Sequence, residues 1–268
     1  MRGMSLLERL FAFGSIRQTA WRLWYPFLTR RLREEEVLFL NYAFEESPPV
    51  NLALEPGDEP NRASIQLYHH VANQAELRDR EVLEVSCGHG GGASWLTRTF
   101  RPASYVGLDL NPQGIEFCQQ RHAVPGLRFV VGDAQRLPLA DASVDTVLNV
   151  EASHCYPDFP AFVREVVRVL RPGGRFLHAD FRFGGEIAVW EQSLRNSGLT
   201  VVATRDIRPE VLRGMELNAE RHAPLVARRL PRWLHSVGRD FAGVPGAKVH
   251  AALSSGEMSY RSWHLRKP

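Results

Sequence analysis

Glu84-Val85-Ser86-Cys87-Gly88-His89-Gly90-Gly91-Gly92-Ala93 is the densest signal in the chain, and its reading decides the fold. A β-type run at 82–85 leads into it and a helical pattern at 93–100 leads out. Glycines at such a turn let the backbone reverse sharply and approach a ligand with no Cβ intervening. Outward from it, β-type runs recur at 105–108, 128–131, 146–150 and 176–179, separated by helical patterns at 112–122 and 159–170. Residues 199–207 read as a further strand, 208–241 as a basic amphipathic helical stretch, and 258–265 as a final edge strand. This alternation predicts βαβ crossovers and an α/β fold whose mostly parallel sheet is covered on both faces.

The rest of the chain narrows the function class. With 268 residues, 44% apolar and 24% charged, it can bury a sizeable core. The net charge is +3, and 31 of the 33 basic residues are arginine; only Lys248 and Lys267 are lysines. That bias reads as genome composition, and no dense patch of mixed Lys, Arg and aromatics points to a nucleic acid. Cys87, Cys118 and Cys155 form neither a disulfide framework nor a CxxC zinc pair, so a reducing, cytoplasmic setting and no metal are expected. No apolar run approaches eighteen residues, and the charges at Glu8 and Arg9 argue against a signal peptide. Texture divides the chain into an aromatic N-terminal cap (1–75), a core (76–207), a helical cap insertion (208–257) and the last strand (258–268).

Read as Gly88-x-Gly90-x-x-Ala93, the loop also satisfies a dinucleotide fingerprint, with Asp109 near the distance of a ribose-binding acid. Two features argue against a nicotinamide cofactor. Glu84 would meet an incoming pyrophosphate with like charge, and neither lysine has a tyrosine four residues before it. With Glu84 included, the segment resembles motif I of the class I S-adenosylmethionine-dependent methyltransferases, departing from acid-x-Gly-x-Gly-x-Gly at Ser86. The resemblance implies their Rossmann-like sheet, mostly parallel with the last strand antiparallel. It also implies a cofactor whose ammonium is engaged by Glu84, directly or through water, while Ser86, Gly88 and Gly90 shape the loop.

The same resemblance makes Asp109 the ribose acid, with Leu110 beside it, and Asp133 and Ala134 the adenine contacts. Asn149 and Glu151 stand at the end of the fourth strand next to the cofactor, and Tyr68 lies against its methionine end. The plainer readings are that Asp109 caps the helix beginning at Pro112 and that Tyr68 packs in a helix leading from Asp58 to His70. The turn Leu170-Arg171-Pro172-Gly173-Gly174 reads as structural.

Ligand sites in such sheets lie at the carboxyl ends of the strands. His154 follows the fourth strand and Asp180 the fifth, so His154 is a candidate general base and Asp180 its orienter. Similar positions in natural-product and sugar O-methyltransferases favour the pair. His154 capping a helix, Asp180 capping the next helix, and Glu151 as the base all stay open. Cys155 as a His-activated nucleophile is disfavoured, because adjacent side chains seldom face one another. The tandem His69-His70 lacks the spacing of helical metal ligands.

Segments outside these motifs, among them Asn41-Tyr42-Ala43-Phe44-Glu45-Glu46 and Asn149-Val150-Glu151-Ala152-Ser153-His154-Cys155-Tyr156-Pro157, resemble the phthiotriolone/phenolphthiotriolone dimycocerosates methyltransferases and related polyketide and glycolipid O-methyltransferases. That resemblance implies methylation of a hydroxyl on a small-molecule or lipid-like acceptor. Carbon methylation and a non-methylating cyclase remain as alternatives. Phe11, Phe13, Trp21, Trp24 and Phe27, with the arginines across 205–239, read as a cap over an apolar cleft and as a candidate contact with a membrane surface.

Overall fold

The computed structural model describes residues 37–229 and 244–268, with side chains described to 219 in the first of these stretches. Phe11, Phe13, Trp21, Trp24 and Phe27 of the expected N-terminal cap, and the end of the 208–241 stretch, lie outside the described residues. The elements are α1 (Arg62–Ala72), β1 (Glu81–Val85), α2 (Gly91–Phe100), β2 (Ser104–Asp109), α3 (Pro112–Arg121), β3 (Leu127–Val131), β4 (Val144–Val150), α4 (Phe159–Val169), β5 (Leu170–Phe183), α5 (Glu186–Arg195), β6 (Thr200–Asp206), α6 (Arg208–Arg229), α7 (Lys248–Ser255) and β7 (Met258–Arg266).

The strands form one seven-stranded sheet in the order β3-β2-β1-β4-β5-β7-β6. The β3-to-β5 half is parallel throughout, and β7 runs antiparallel to both its neighbours. The expectation of a final edge strand is therefore corrected. β7 lies inside the sheet, its Tyr260, Trp263 and Leu265 buried, and the edge is the mostly exposed β6.

The expected turn before the fifth strand also differs: β5 already pairs at Leu170, and the register jumps from Val144↔Leu170 to Thr146↔Arg175. Arg171–Gly174 is thus looped out of the β4 register within the strand, Gly173 taking a φ of 79°.

Apolar clusters cover both faces. One joins Ile65, Val71, Trp95 and Ile115 to Val211 and Leu253; the other seats Phe162, Val166, Trp190 and Leu194 on Leu83, Val147 and Phe176. Local sequence sets the helix starts: Asn111 accepts from Gln113 N at 3.2 Å ahead of α3, and Asp158 from Ala161 N at 2.9 Å ahead of α4, each with Pro in the first turn.

Arg205 pairs with Glu46 and Glu210, Arg208 with Asp206 and Arg213 with Glu210. Arg205, Arg208 and Arg213, the arginines of the 205–239 cluster whose side chains are described, are therefore locally neutralised. Among the described residues, no helix is long and apolar enough to cross a membrane.

Candidate active site

A cavity of about 520 Å³ opens at the carboxyl ends of β1, β2 and β4, within the size range of small-molecule sites. Its wall includes Tyr68, Ser86, Gly88, Asp109, Leu110, Asp133, Ala134 and Glu151. The adjacent, parallel strands β1 to β4 bring seven of these sequence candidates to one place, and α1 adds Tyr68.

The loop conformation matches its composition. Ser86, Gly88 and Gly90 all take positive φ, at 62°, 56° and 76°. Gly88 N donates to Asp109 Oδ2 at 3.0 Å, tying the loop to the end of β2. Asp109 also accepts from Asn111 N, and the cap of α3 is Asn111, not Asp109. Ser86, in the glycine position of the motif, uses its side chain: Oγ lies 2.6 Å from Tyr156 Oη, which also accepts from Asn149 Nδ2 at 2.9 Å.

Five candidates do not line the cavity. A Cβ on Gly90 would meet Phe129 and His122, so this glycine serves packing. Asn149 is fully buried behind the loop, its Nδ2 also donating to Val85 O. Glu84 is fully buried as well, accepting from Tyr68 Oη at 3.0 Å and Tyr105 Oη at 2.8 Å. Burial with no cation in its hydrogen-bond shell pushes its pKa up to about 7. Glu84 thus does not line the cavity; it holds the hydroxyl of Tyr68, which does.

His154 and Asp180 form the fourth and fifth exceptions. His154 sits in a 3-10 turn, Ser153–Cys155, just beyond β4, and its ring stacks on Phe181 at 4.1 Å. Its side chain is 16% exposed, mostly sheltered yet reachable. Nδ1 lies 2.9 Å from Asp180 Oδ1, inside β5, and the His154 backbone N donates to Asp180 Oδ2 at 2.9 Å. Ser153 Oγ donates to Oδ2 as well, and Arg182 is ion-paired with it at 3.1 Å.

Burial works against an imidazolium, but Cys155 and Asp180 outweigh it and raise the His154 pKa. Cys155 itself lines the cavity.

Glu151, at φ 51°, accepts from Tyr42 N and from Tyr260 Oη at 2.7 Å. Burial, against these two hydrogen bonds, pushes its carboxyl up to about 8.

The segment from Leu38 to Asn41 forms part of the cavity wall, a role that sequence reasoning missed. It is anchored on the glycine loop, Val37 O lying 2.6 Å from His89 Nδ1 and Leu38 O accepting from Gly91 N. It carries no periodic pattern; its one signal was the family-like run from Asn41 to Glu46.

A methyltransferase domain model matches residues 83–178. The phthiotriol/phenolphthiotriol dimycocerosates methyltransferase of Mycobacterium tuberculosis (strain ATCC 25618 / H37Rv) is 53% identical over 266 residues, covering 99% of this chain and 98% of that protein. The chain belongs to this family of S-adenosylmethionine-dependent methyltransferases. A fatty-acid O-methyltransferase of Mycolicibacterium smegmatis (strain ATCC 700084 / mc(2)155) is 48% identical, covering 94% of the methyltransferase described here and 92% of its own length.

The crystal structure of geranyl diphosphate C-methyltransferase from Streptomyces coelicolor A3(2), with S-adenosyl-L-homocysteine among its ligands, superposes with a TM-score of 0.65 at 15% identity, covering 91% of this chain and 98% of that one. That likeness concerns the fold alone. The methyltransferase's cofactor is S-adenosylmethionine, and the cavity suits it: backbone exposed at Gly88, a carboxylate at Asp109, and an apolar Leu110 left 43% exposed at the mouth.

Proposed function

We propose that this methyltransferase acts on a hydroxyl of a lipid or polyketide-like acceptor, His154 taking the hydroxyl proton and Asp180 orienting His154. The observation that carries the reading is the 2.9 Å pair between His154 Nδ1 and Asp180 Oδ1, beside the cavity at the ends of β4 and β5. In the cofactor-binding part, Asp109 receives the ribose hydroxyls, Leu110 and Ala134 flank the adenine, and Asp133 accepts from its amino group. Ser86, Gly88, Tyr68 and Glu151 line the methionine half. Glu84, Gly90 and Asn149 support this wall from behind. When bound, S-adenosylmethionine supplies an electrophilic methyl carbon on a sulfonium.

Because Asp180 occupies Nδ1, Nε2 is the atom left to take the proton. The base must be neutral, so a raised pKa makes transfer increase with pH beyond the ordinary histidine range. The names of the two relatives, which refer to dimycocerosates and to fatty acids, support a long-chain acceptor. The name of the second supports oxygen as the methylated atom.

His154→Ala is expected to lower transfer by about 10²–10⁴-fold while S-adenosylhomocysteine binding, followed by calorimetry, stays within about twofold. Near-normal turnover would remove His154 from the reaction. Mass spectrometry of lipid extracts from a deletion strain should show a species lighter by one methylene.

A further inference from the structure

Glu84, the acid of the glycine motif, is withdrawn behind Tyr68 and does not line the cavity. Another acceptor belongs to a residue of the cavity wall. Asn41 belongs to the wall and is only 7% exposed. Its Nδ2 donates to Ser64 O at 3.0 Å. That bond fixes the amide orientation, since the reverse would set two oxygens against each other. Oδ1 is then left buried, with no hydrogen-bond partner among the described residues. An orphaned buried acceptor costs about 1–3 kcal/mol, which a ligand donor recovers.

The next residue gives the wall its character. Tyr42 N donates to both oxygens of Glu151, at 3.1 and 3.0 Å, placing a second acceptor group beside Asn41. Glu151 and Tyr68 line the same cavity, whereas Asp133, Ala134 and Gln135 belong to the β3 side. A wall that offers an amide oxygen and a carboxyl group, and no cationic side chain among its described residues, suits a primary ammonium better than a carboxylate.

We propose that Asn41 Oδ1 receives the ammonium group of S-adenosylmethionine, with Glu151 as the neighbouring acceptor, in place of the motif acid Glu84. The inference rests on the cofactor orientation given under Proposed function, adenine toward Asp133.

The test is calorimetric, on the full chain, with three ligands: S-adenosylhomocysteine, its deamino analogue lacking only the amine, and 5′-methylthioadenosine, which lacks the whole amino-acid end. In the parent protein, removing the amine should weaken binding by about 10–100-fold, the range of a hydrogen bond to a charged group. Asn41→Leu should weaken S-adenosylhomocysteine by a similar factor and leave the other two ligands within about twofold. Asn41→Ser repeats the cycle if the leucine variant fails to fold. Equal weakening of all three ligands would make Asn41 structural and overturn the proposal. Unchanged cofactor affinity with a raised KM for the acceptor would also overturn it, assigning Oδ1 to the acceptor. Asp133→Ala should weaken all three ligands; if it does not, the orientation has failed, separately from Asn41.

Discussion

Glu84 and Asp180 are both fully buried carboxyl groups near the carboxyl end of the sheet, one on the cofactor side and one on the side of the proposed base. The fold gives them opposite company. Glu84 is met by two tyrosine hydroxyls, and burial raises its pKa to about 7. Asp180 is met by His154, Arg182, the Ser153 hydroxyl and two backbone amides. Burial alone would raise it too, but the cations of His154 and Arg182 outweigh that and hold it well below the usual carboxylate range. Residue type therefore does not set the proton state; the partners do. The cofactor side raises the pKa of its acid and uses the acid to fix a tyrosine. The other side keeps a charged pair.

The largest effect that tests this contrast is at Asp180. Asp180→Ala leaves Arg182 and a protonated His154 without their buried anion, and should cost about 3–5 kcal/mol in urea unfolding. Its folded pKa is depressed, so the Asp180 contribution is present above about pH 3.9 and is lost as pH falls below that. In Asp180→Asn the anion that helps raise the His154 pKa is gone, so the rising limb of the pH–rate profile should move toward 6.5 and maximal transfer should fall. A limb that does not move would separate the pair from the chemistry.

Glu84 should behave with the reverse sign. Its folded pKa of about 7 lies above the unfolded value of 4.5, so the folded state holds more protons between those values. Stability contributed by the neutral acid is full at low pH and declines as pH rises through that interval. Glu84→Gln keeps an acceptor for one tyrosine and offers a donor to the other. It should match the parent at pH 4–5 and exceed it by about 3 kcal/mol at pH 8. A variant destabilised equally at both pH values would show that Glu84 is charged in the folded protein.

The strands, the glycine loop and the line of acids along the cavity were legible because each depends on local pattern: apolar runs, glycine spacing, an acid at a strand end. The placement of β7 was not, since strand order depends on long-range pairing and its alternating pattern resembles that of an edge. Nor was the withdrawal of Glu84, which depends on Tyr68 arriving from α1 and Tyr105 from the neighbouring strand. The segment from Leu38 to Asn41 escaped notice because a strap held by backbone atoms leaves no periodicity.

The smallest expected effect tests the loop that the cofactor side is built on. Ser86 holds φ 62°, a left-handed conformation that costs a non-glycine residue about 1–2 kcal/mol. Its hydroxyl offsets part of that through the 2.6 Å contact with Tyr156, a bond worth about 1 kcal/mol. Ser86→Ala keeps the strain and loses the bond, whereas Ser86→Gly loses both. The glycine variant should therefore lie within about 0.5 kcal/mol of the parent, and the alanine variant about 1 kcal/mol below it. Denaturant midpoints at constant slope would read the difference. Equal losses in the two variants would mean that the serine conformation carries no strain and that the departure from the glycine motif is sustained by the hydroxyl alone.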